Sequence, residues 1–140
     1  MFALLVLSAC GDDPVAQDTG TLPPSFCATL DEADLVETVE GGATGASGRV
    51  YVRLITDETD DPRDPLYVAF KDYALENVQT GGVATTGKTS GDGIVEEVLG
   101  AGTWSFRAAY PRGSRVCTAQ IEFDVVAGQT SRACTVLSCP

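Results

Sequence analysis

The fold is decided by residues 89–106, T-S-G-D-G-I-V-E-E-V-L-G-A-G-T-W-S-F. Asp92 and Gly93 form a turn pair, because aspartate caps its own backbone and glycine accepts a positive φ without steric cost. A second glycine-rich turn follows the apolar-bearing run of residues 94–99, and polar and apolar side chains then alternate over residues 103–110. Alternation between glycine turns predicts an antiparallel hairpin of half-buried strands, around which an all-β domain is organised.

The alternation also assigns side chains to the two faces of each strand. In the second strand of this hairpin, one face carries Trp104, Phe106, Ala108 and Tyr110, and the other carries Thr103, Ser105 and Arg107. Residues 49–56 predict a strand with Val50, Val52 and Leu54 on one face and Arg49, Tyr51, Arg53 and Ile55 on the other. Residues 66–70 predict another strand, with Leu66, Val68 and Phe70 facing inward.

Length and charge limit the classes of function. The chain has 140 residues, which predicts one domain with a tail. Its formal charge of −11 argues against binding to nucleic acid or to anionic lipid. The sequence contains no histidine, which removes Ser-His and Cys-His catalytic arrangements and histidine metal sites. We therefore expect no catalytic residue, no cofactor and no metal site.

The N-terminal residues have the pattern of an export signal. Residues 2–9 are apolar or small, too few to span a bilayer, and typical of the apolar region of a signal peptide. Residues 7–10, L-S-A-C, resemble the lipobox of bacterial lipoproteins, in which cleavage before the cysteine leaves a lipidated N-terminus. The resemblance implies a signal peptide over residues 1–9 and a lipid anchor on Cys10, which would be the chain's contact with the membrane.

Two details refine this expectation. No lysine or arginine precedes the apolar run, so either the true start lies upstream or the segment is a clipped apolar end. Gly11 follows Cys10 where many lipoproteins of the inner membrane have aspartate. The resemblance therefore favours the outer membrane, with the protein facing the periplasm or the cell surface.

The segment after Cys10 predicts a tether and then a lead-in to the domain. Residues 10–26 hold the lipidated cysteine and an acidic, Gly- and Pro-containing stretch, which as a flexible coil would span roughly 20–25 Å. Residues 27–45 are ambiguous, because residues 29–32 fit a helical capping box while residues 35–39 permit a strand equally well. The β-sandwich domain is expected over residues 46–140.

An acidic loop, residues 57–65 (D-E-T-D-D-P-R-D-P), follows the first long strand. Its carboxylates are those of Asp57, Glu58, Asp60, Asp61 and Asp64. Calcium takes six to eight oxygen ligands, so such a cluster could contribute to a calcium site. The spacing lacks the glycine and the distal glutamate of an EF-hand, so we expect an acidic surface loop without metal.

Several pieces of the sequence follow an order known from one group of β-domains. The pieces are Gly48-Arg49-Val50, Pro65-Leu66-Tyr67-Val68, residues 85–93 and Leu99-x-x-Gly102-x-Trp104. Over residues 46–138 they resemble the carboxypeptidase regulatory-like and transthyretin-like domains, whose relatives include the B-repeats of collagen adhesins. The resemblance implies a Greek-key β-sandwich of about seven strands, serving as a stalk, spacer or accessory module without catalysis. The Lys–Asn crosslink of the B-repeats is not expected, because Asn77 is the only asparagine.

The last two predicted strands, residues 116–126 and 130–138, flank a glycine turn and suggest a second hairpin. If Val126 faces Thr130, opposed residue numbers sum to 256, which also places Phe123 opposite Ala133. Cys117 then lies opposite Cys139 at the open end of the hairpin, where a disulfide would fit if the Cα atoms lie within about 7 Å.

The cysteine count agrees with an exported, oxidised domain, because four cysteines remain once Cys10 is assigned to the lipid. The hairpin register gives the pairs Cys117–Cys139 and Cys27–Cys134. A slip of one residue gives Cys117–Cys134 with Cys27–Cys139 instead, since four cysteines allow three pairings. A zinc site is the other alternative, but C-x₄-C is not a typical zinc spacing and export argues against it.

Three classes of function remain to be weighed. We expect a non-enzymatic envelope lipoprotein whose β-sandwich provides structural spacing or binds an envelope protein or polysaccharide. The alternative is a module that binds a glycan or calcium through residues 57–64 and exposed tyrosines, although Trp104 shares its face with Phe106 and is expected in the core. An enzyme is disfavoured, because Glu96 and Glu97 are adjacent on a strand and point to opposite faces.

Overall fold

The computed structural model describes residues 22, 23, 26–28, 30–56 and 67–139. Within these residues, eight strands form two four-stranded sheets that pack as a sandwich. The strands are β1 (Val36–Glu40), β2 (Ser47–Thr56), β3 (Asp72–Asn77), β4 (Val83–Lys88), β5 (Ile94–Gly100), β6 (Gly102–Arg112), β7 (Arg115–Val125) and β8 (Gln129–Leu137). The predicted all-β sandwich is confirmed, with eight strands instead of about seven.

Some sequence predictions lie outside the described residues. These are the signal peptide, the lipidation of Cys10, most of the tether and the acidic loop of residues 57–65. The ambiguous lead-in segment is largely described. It contains one short 3-10 helix, Leu30–Glu32, followed by β1, so the first sheet begins before residue 46.

The first sheet has the strand order β1-β8-β2-β5 and the second has the order β4-β3-β6-β7. Strands β2 and β8 run parallel, with Arg49 opposite Thr130 at one end and Thr56 opposite Leu137 at the other. Every other neighbouring pair is antiparallel. The last strand of the chain is therefore an interior strand of its sheet, held by β1 on one side and β2 on the other.

The core lies between the two sheets and is formed by the faces that the alternation predicts. Trp104 and Phe106 of β6 are 5% and 0% exposed. They belong to the same buried cluster as Val50, Val52 and Leu54 of β2, which are 0% exposed. Removing a large apolar side chain from water contributes about 1.5–3 kcal/mol, so each of these residues makes a substantial contribution to the stability of the fold.

The predicted hairpin of β5 and β6 is wrong, because the two strands belong to different sheets. Only Ala101 separates them, and the chain crosses there from the first sheet to the second. β5 pairs with β2, and β6 pairs with β3 and β7. The indole nitrogen of Trp104 donates to the carbonyl oxygen of Gly100 at 2.9 Å across this corner. The crossing places the apolar face of each strand on the inner side of its own sheet.

The predicted hairpin of β7 and β8 is wrong for the same reason. Phe123 lies opposite Trp104, and Ala133 lies opposite Val36, so the two do not face each other. One part of the predicted register is present at the far end of the strands. There Thr118 and Ser138 form an antiparallel bridge, with two backbone hydrogen bonds of 2.9 Å.

The strand predicted at residues 66–70 is wrong in its described part. Val68 is buried, but Phe70 is 67% exposed and has a φ of 59°. Thr89 explains this bend, because its hydroxyl donates to the carbonyl of Val68 at 2.7 Å and accepts from the backbone N–H of Lys71 at 3.0 Å. The backbone turns around the threonine and points Phe70 to solvent.

A glycine substitution tests the tight contact between the turn at Gly93 and β2. Gly93 has a φ of +72°, and an added Cβ would lie 2.6 Å from the carbonyl oxygen of Leu54. Gly81 has a φ of +75° with open space around it, so it provides a matched control. Left-handed strain costs about 1–2 kcal/mol at either position, and overpacking adds about 1–3 kcal/mol at Gly93 alone. We expect Gly93→Ala to lower the free energy of unfolding, measured in urea, clearly more than Gly81→Ala; equal losses would contradict the contact.

Candidate functional site

A disulfide between Cys27 and Cys134 fixes the N-terminal segment to β8, an interior strand of the first sheet. The Cα atoms are 5.4 Å apart, and both cysteines are 0% exposed. The backbone of Cys134 is held by the residues just before β1, since its N–H donates to the carbonyl of Leu35 at 2.9 Å and its carbonyl accepts from the backbone N–H of Asp34 at 2.8 Å. On the other side Cys134 pairs with Arg53 of β2. The bridge therefore attaches to a strand that is held along both edges.

Arg53 reinforces the same junction without a covalent bond. Its side chain is almost fully buried, and its Nη1 donates to the carbonyl oxygen of Phe26 at 2.9 Å. Its Nε donates to the carbonyl of Asp92 at 3.3 Å, and the guanidinium lies 4.3 Å above the ring of Tyr67. A buried charge is tolerated only with such partners, and a desolvated cation–π contact contributes about 2 kcal/mol. Arg53 thus ties the residue before Cys27 to β2.

A small apolar cluster completes the junction on the outer face of the first sheet. Its buried members are Phe26, Cys27, Ile55 and Cys134, with Leu22, Tyr67 and Val136 packed against them. Because this cluster covers the outer face of β2 and the main core covers the inner face, the second half of β2 is buried on both sides. We refer to the Cys27–Cys134 bridge, Arg53 and this cluster as the junction.

A second disulfide joins Cys117 of β7 to Cys139, just beyond β8. The Cα atoms are 4.1 Å apart, and the bridge lies next to the Thr118–Ser138 pair. Arg115 adds a side-chain hydrogen bond of 3.2 Å to the carbonyl of Cys139. Both disulfides are the pairs given by the sequence register, although the hairpin that led to them exists only at this end. Together the two bridges fasten the two ends of the described chain.

The carboxylates of Glu96 and Glu97 point to opposite faces of β5, as predicted. Glu96 forms an ion pair with Arg49 and accepts a hydrogen bond from Tyr51 at 3.3 Å on the outer face. Glu97 accepts a hydrogen bond of 2.6 Å from the hydroxyl of Tyr73, which lies in the other sheet. Burial, followed by this hydrogen bond and the charge of Glu97, raises the pKa of Tyr73 above its ordinary value. The two carboxylates therefore serve separate structural contacts.

Among the aromatic side chains of the described residues, Phe70 is exposed, but the tryptophan and the tyrosines do not form an exposed stacking surface. Trp104, Tyr51 and Tyr73 are buried, and Tyr67 and Tyr110 are half-buried beneath Arg53 and Lys71. The prediction that Trp104 belongs to the core is confirmed. The glycan-binding alternative relied on exposed tyrosines, and these positions do not supply them. Its other component, residues 57–64, lies outside the described residues.

One shallow depression of about 400 Å³ lies on the second sheet. Its charged and polar lining includes Asp72, Arg107 and Gln120, beside the small side chains of Ala74 and Ala109. The charges are paired, because Asp72 binds Lys88 at 2.7 Å and Arg107 approaches Glu76 at 3.6 Å. Such exposed pairs contribute at most about 1 kcal/mol. They leave no buried charge directed into the depression.

Over the described ranges, no group of three or more cysteine, aspartate and glutamate side chains is arranged to hold a metal ion. In the same part of the chain, no helix has the length and apolar character needed to cross a membrane. Comparison with known proteins adds no assignment. No family model matches the sequence, and no curated protein matches it.

Sequence reasoning identified both cysteine pairs but missed Arg53, Phe26 and Tyr67 as parts of the junction. The signal for Arg53 was present, because it alternates with Tyr51 and Ile55 on one face of β2. Two large side chains beside an arginine on the supposed outer face indicate that this face is covered. The identity of the covering segment depends on tertiary structure and has no local signal in the sequence.

The two disulfides are expected to contribute unequally to stability. Cys27–Cys134 closes a loop of 107 residues and Cys117–Cys139 one of 22 residues. A chain-entropy model gives about 4.5–5 and about 3 kcal/mol for loops of these sizes. Urea denaturation should therefore show a larger loss for the double variant Cys27→Ala/Cys134→Ala than for Cys117→Ala/Cys139→Ala. The opposite order would contradict the dominance of the longer loop.

The raised pKa of Tyr73 predicts a fall in stability at high pH. Tyr73 ionises near pH 10 in the unfolded chain but remains neutral in the fold, so deprotonation above pH 10 favours the unfolded state. The free energy of unfolding should decrease as pH rises above 10. Tyr73→Phe should make that decrease shallower, because it removes one ionising group. Urea denaturation of both proteins between pH 7 and pH 11 measures this, and parallel pH profiles would disprove the contribution.

Proposed function

We propose that the protein is a non-enzymatic, lipid-anchored module of the cell envelope whose β-sandwich provides spacing or binds a partner protein. The observation that carries the proposal is the junction. There the segment that follows the acidic stretch is bound covalently by Cys27–Cys134 and held by the Arg53–Phe26 hydrogen bond. A domain that is positioned by its N-terminal tether needs a strong attachment at this point, and this is where the structure has one.

The proposed anchor is Cys10, from the resemblance of residues 7–10 to a lipobox. Several acyl chains on one residue give durable anchoring, since each buried CH₂ contributes about 0.8 kcal/mol. Leu22 and Phe26 pack in the junction, so the tether predicted to reach residue 26 is shorter than expected. Residues 11–21 are proposed to separate the domain from the membrane by roughly 17–20 Å. We favour the outer membrane because Gly11, not aspartate, follows Cys10.

The disulfides support an extracytoplasmic location. Structural disulfides form and persist in oxidising compartments such as the periplasm and the cell surface. In this fold Cys27–Cys134 is fully buried, and Cys117 is also 0% exposed, so both bridges behave as structural elements. Their presence agrees with export through the N-terminal signal that the sequence predicts.

The kind of sandwich is also part of the proposal. Two four-stranded sheets are compatible with the carboxypeptidase regulatory-like and transthyretin-like domains that residues 46–138 resemble. Domains of that group commonly act as stalks, spacers or accessory modules. The charge of −11 favours a protein or polysaccharide partner in the envelope over nucleic acid.

The anchor is tested by removing the lipidated cysteine. Expressed in its own host, the Cys10→Ala chain should move from the membrane fraction to the soluble fraction, because it can no longer be acylated. The matched control is Cys27→Ala/Cys134→Ala, which changes other cysteines and should remain in the membrane fraction. Retention of the Cys10→Ala protein in membranes, measured by fractionation and immunoblotting, would refute the proposed anchor.

A further inference from the structure

We propose that the oxidised domain is a nearly inextensible link, in which tension between the N-terminal tether and the C-terminal end bypasses the second sheet and all of the first sheet except the end of β8. The proposal follows from where the two disulfides lie along the chain. Cys27 and Cys134 are joined across a sequence separation of 107 residues. Tension that enters before Cys27 therefore passes directly to Cys134, and the residues between them form a closed ring that is outside the load path.

Beyond Cys134 the load passes through residues 134–139, a short extended segment at the end of the described chain. Most of this piece belongs to β8, which ends at Leu137. A strand already rises about 3.3 Å per residue, against a limit of about 3.6 Å for a fully extended chain. Stretching these few residues adds only about 2 Å. The segment that carries the load can therefore lengthen very little.

The same piece is also held laterally. Cys134 through Leu137 pair with Arg53 through Thr56 of β2, and the hydroxyl of Thr56 donates to the carbonyl of Leu137 at 3.2 Å. Ser138 then exchanges two hydrogen bonds with Thr118. These contacts keep residues 134–139 in an extended conformation while the tension passes through the Cys27–Cys134 bond.

The two disulfides have unequal mechanical roles. With Cys117–Cys139 alone, tension from Cys27 would run through the strands that precede Cys117 before it reached a bridge. That route contains about 90 residues, whose fully extended length is about 320 Å, so it would lengthen by hundreds of ångströms when the sandwich unfolds. With Cys27–Cys134 alone, the route remains the few residues after Cys134. The longer bridge is therefore sufficient to protect the domain, and the shorter bridge is not.

The junction thus has a mechanical role, and the use of that role in the cell rests on the proposed membrane anchor. The resistance to extension itself does not depend on the anchor. A partner that pulls on the C-terminal end while Cys10 is held in a membrane would pull against the junction. The sheets would keep their pairing under that load, so a binding surface would keep its shape.

Single-molecule pulling of the full chain tests the inference. The protein carries one handle at each terminus and the substitution Cys10→Ser, so that only the four paired cysteines remain. The oxidised chain should give no unfolding step of hundreds of ångströms. Addition of a reductant to the same molecules should produce a step of hundreds of ångströms, with an upper limit of about 400 Å set by the extended length of the roughly 110 residues between Cys27 and Cys139. Comparison within one sample does not require any disulfide variant to fold.

Two variants separate the bridges. The oxidised Cys117→Ala/Cys139→Ala chain should still show no long step, whereas the oxidised Cys27→Ala/Cys134→Ala chain should show one with an upper limit of about 320 Å. A long step in the oxidised parent chain, or in the chain that retains Cys27–Cys134, would overturn the inference. Its failure is distinguishable from failure of the membrane anchor, because pulling uses soluble protein and the anchor is tested by fractionation.

Discussion

The parallel pairing of β2 with β8 is the constraint on which the rest of the structure depends. Eight residue pairs, from Arg49–Thr130 to Thr56–Leu137, join parts of the chain that are about 80 residues apart. Because β8 also pairs with β1, the first sheet is incomplete until the last strand arrives. Pairing strands that are distant in sequence requires a long loop to close. The entropy lost on closing that loop must be offset by the contacts before the pairing stabilises the fold. Cys134 lies within β8 and Cys139 just beyond it, so both bridges secure this late strand.

The outer face of the first sheet places several cations where they are largely shielded from water. Interior parallel strands are usually apolar on both faces, yet β2 carries Arg53 and β8 carries Arg132 there, both nearly buried. Arg132 binds Glu37 of β1 at 2.9 Å, and Arg49 pairs with Glu96 of β5. Each ion pair links an interior strand to an edge strand. Desolvation of the nearly buried Arg132 offsets much of the attraction in its pair, and the Arg49–Glu96 pair is partly exposed, so both pairs contribute little net stability.

Local patterns predicted the strands and their buried faces, but not which strands share a sheet. The alternation around Phe106 and Val52 is local, and it identifies the inner face correctly. The glycine turns before β6 and before β8 have the composition of hairpin turns, yet both lead from one sheet to the other. A turn sequence limits backbone φ and ψ over a few residues, while sheet membership depends on how apolar faces meet across the core. The exposure of Phe70 was likewise not predictable from local sequence. It results from the hydrogen bonds of Thr89, a residue distant in sequence, to Val68 and Lys71.

The disulfide connectivity has a further consequence for a protein exposed to proteases. Cys27–Cys134 makes a covalent ring, so a cut at any single peptide bond within it leaves both pieces joined. Cys117–Cys139 forms a second ring that overlaps the first between residues 117 and 134. Two cuts, one on each side of Cys117 within the first ring, would still leave a single covalent molecule. The acidic loop of residues 57–65 lies inside the first ring, so cleavage there would add a pair of chain ends without releasing a fragment.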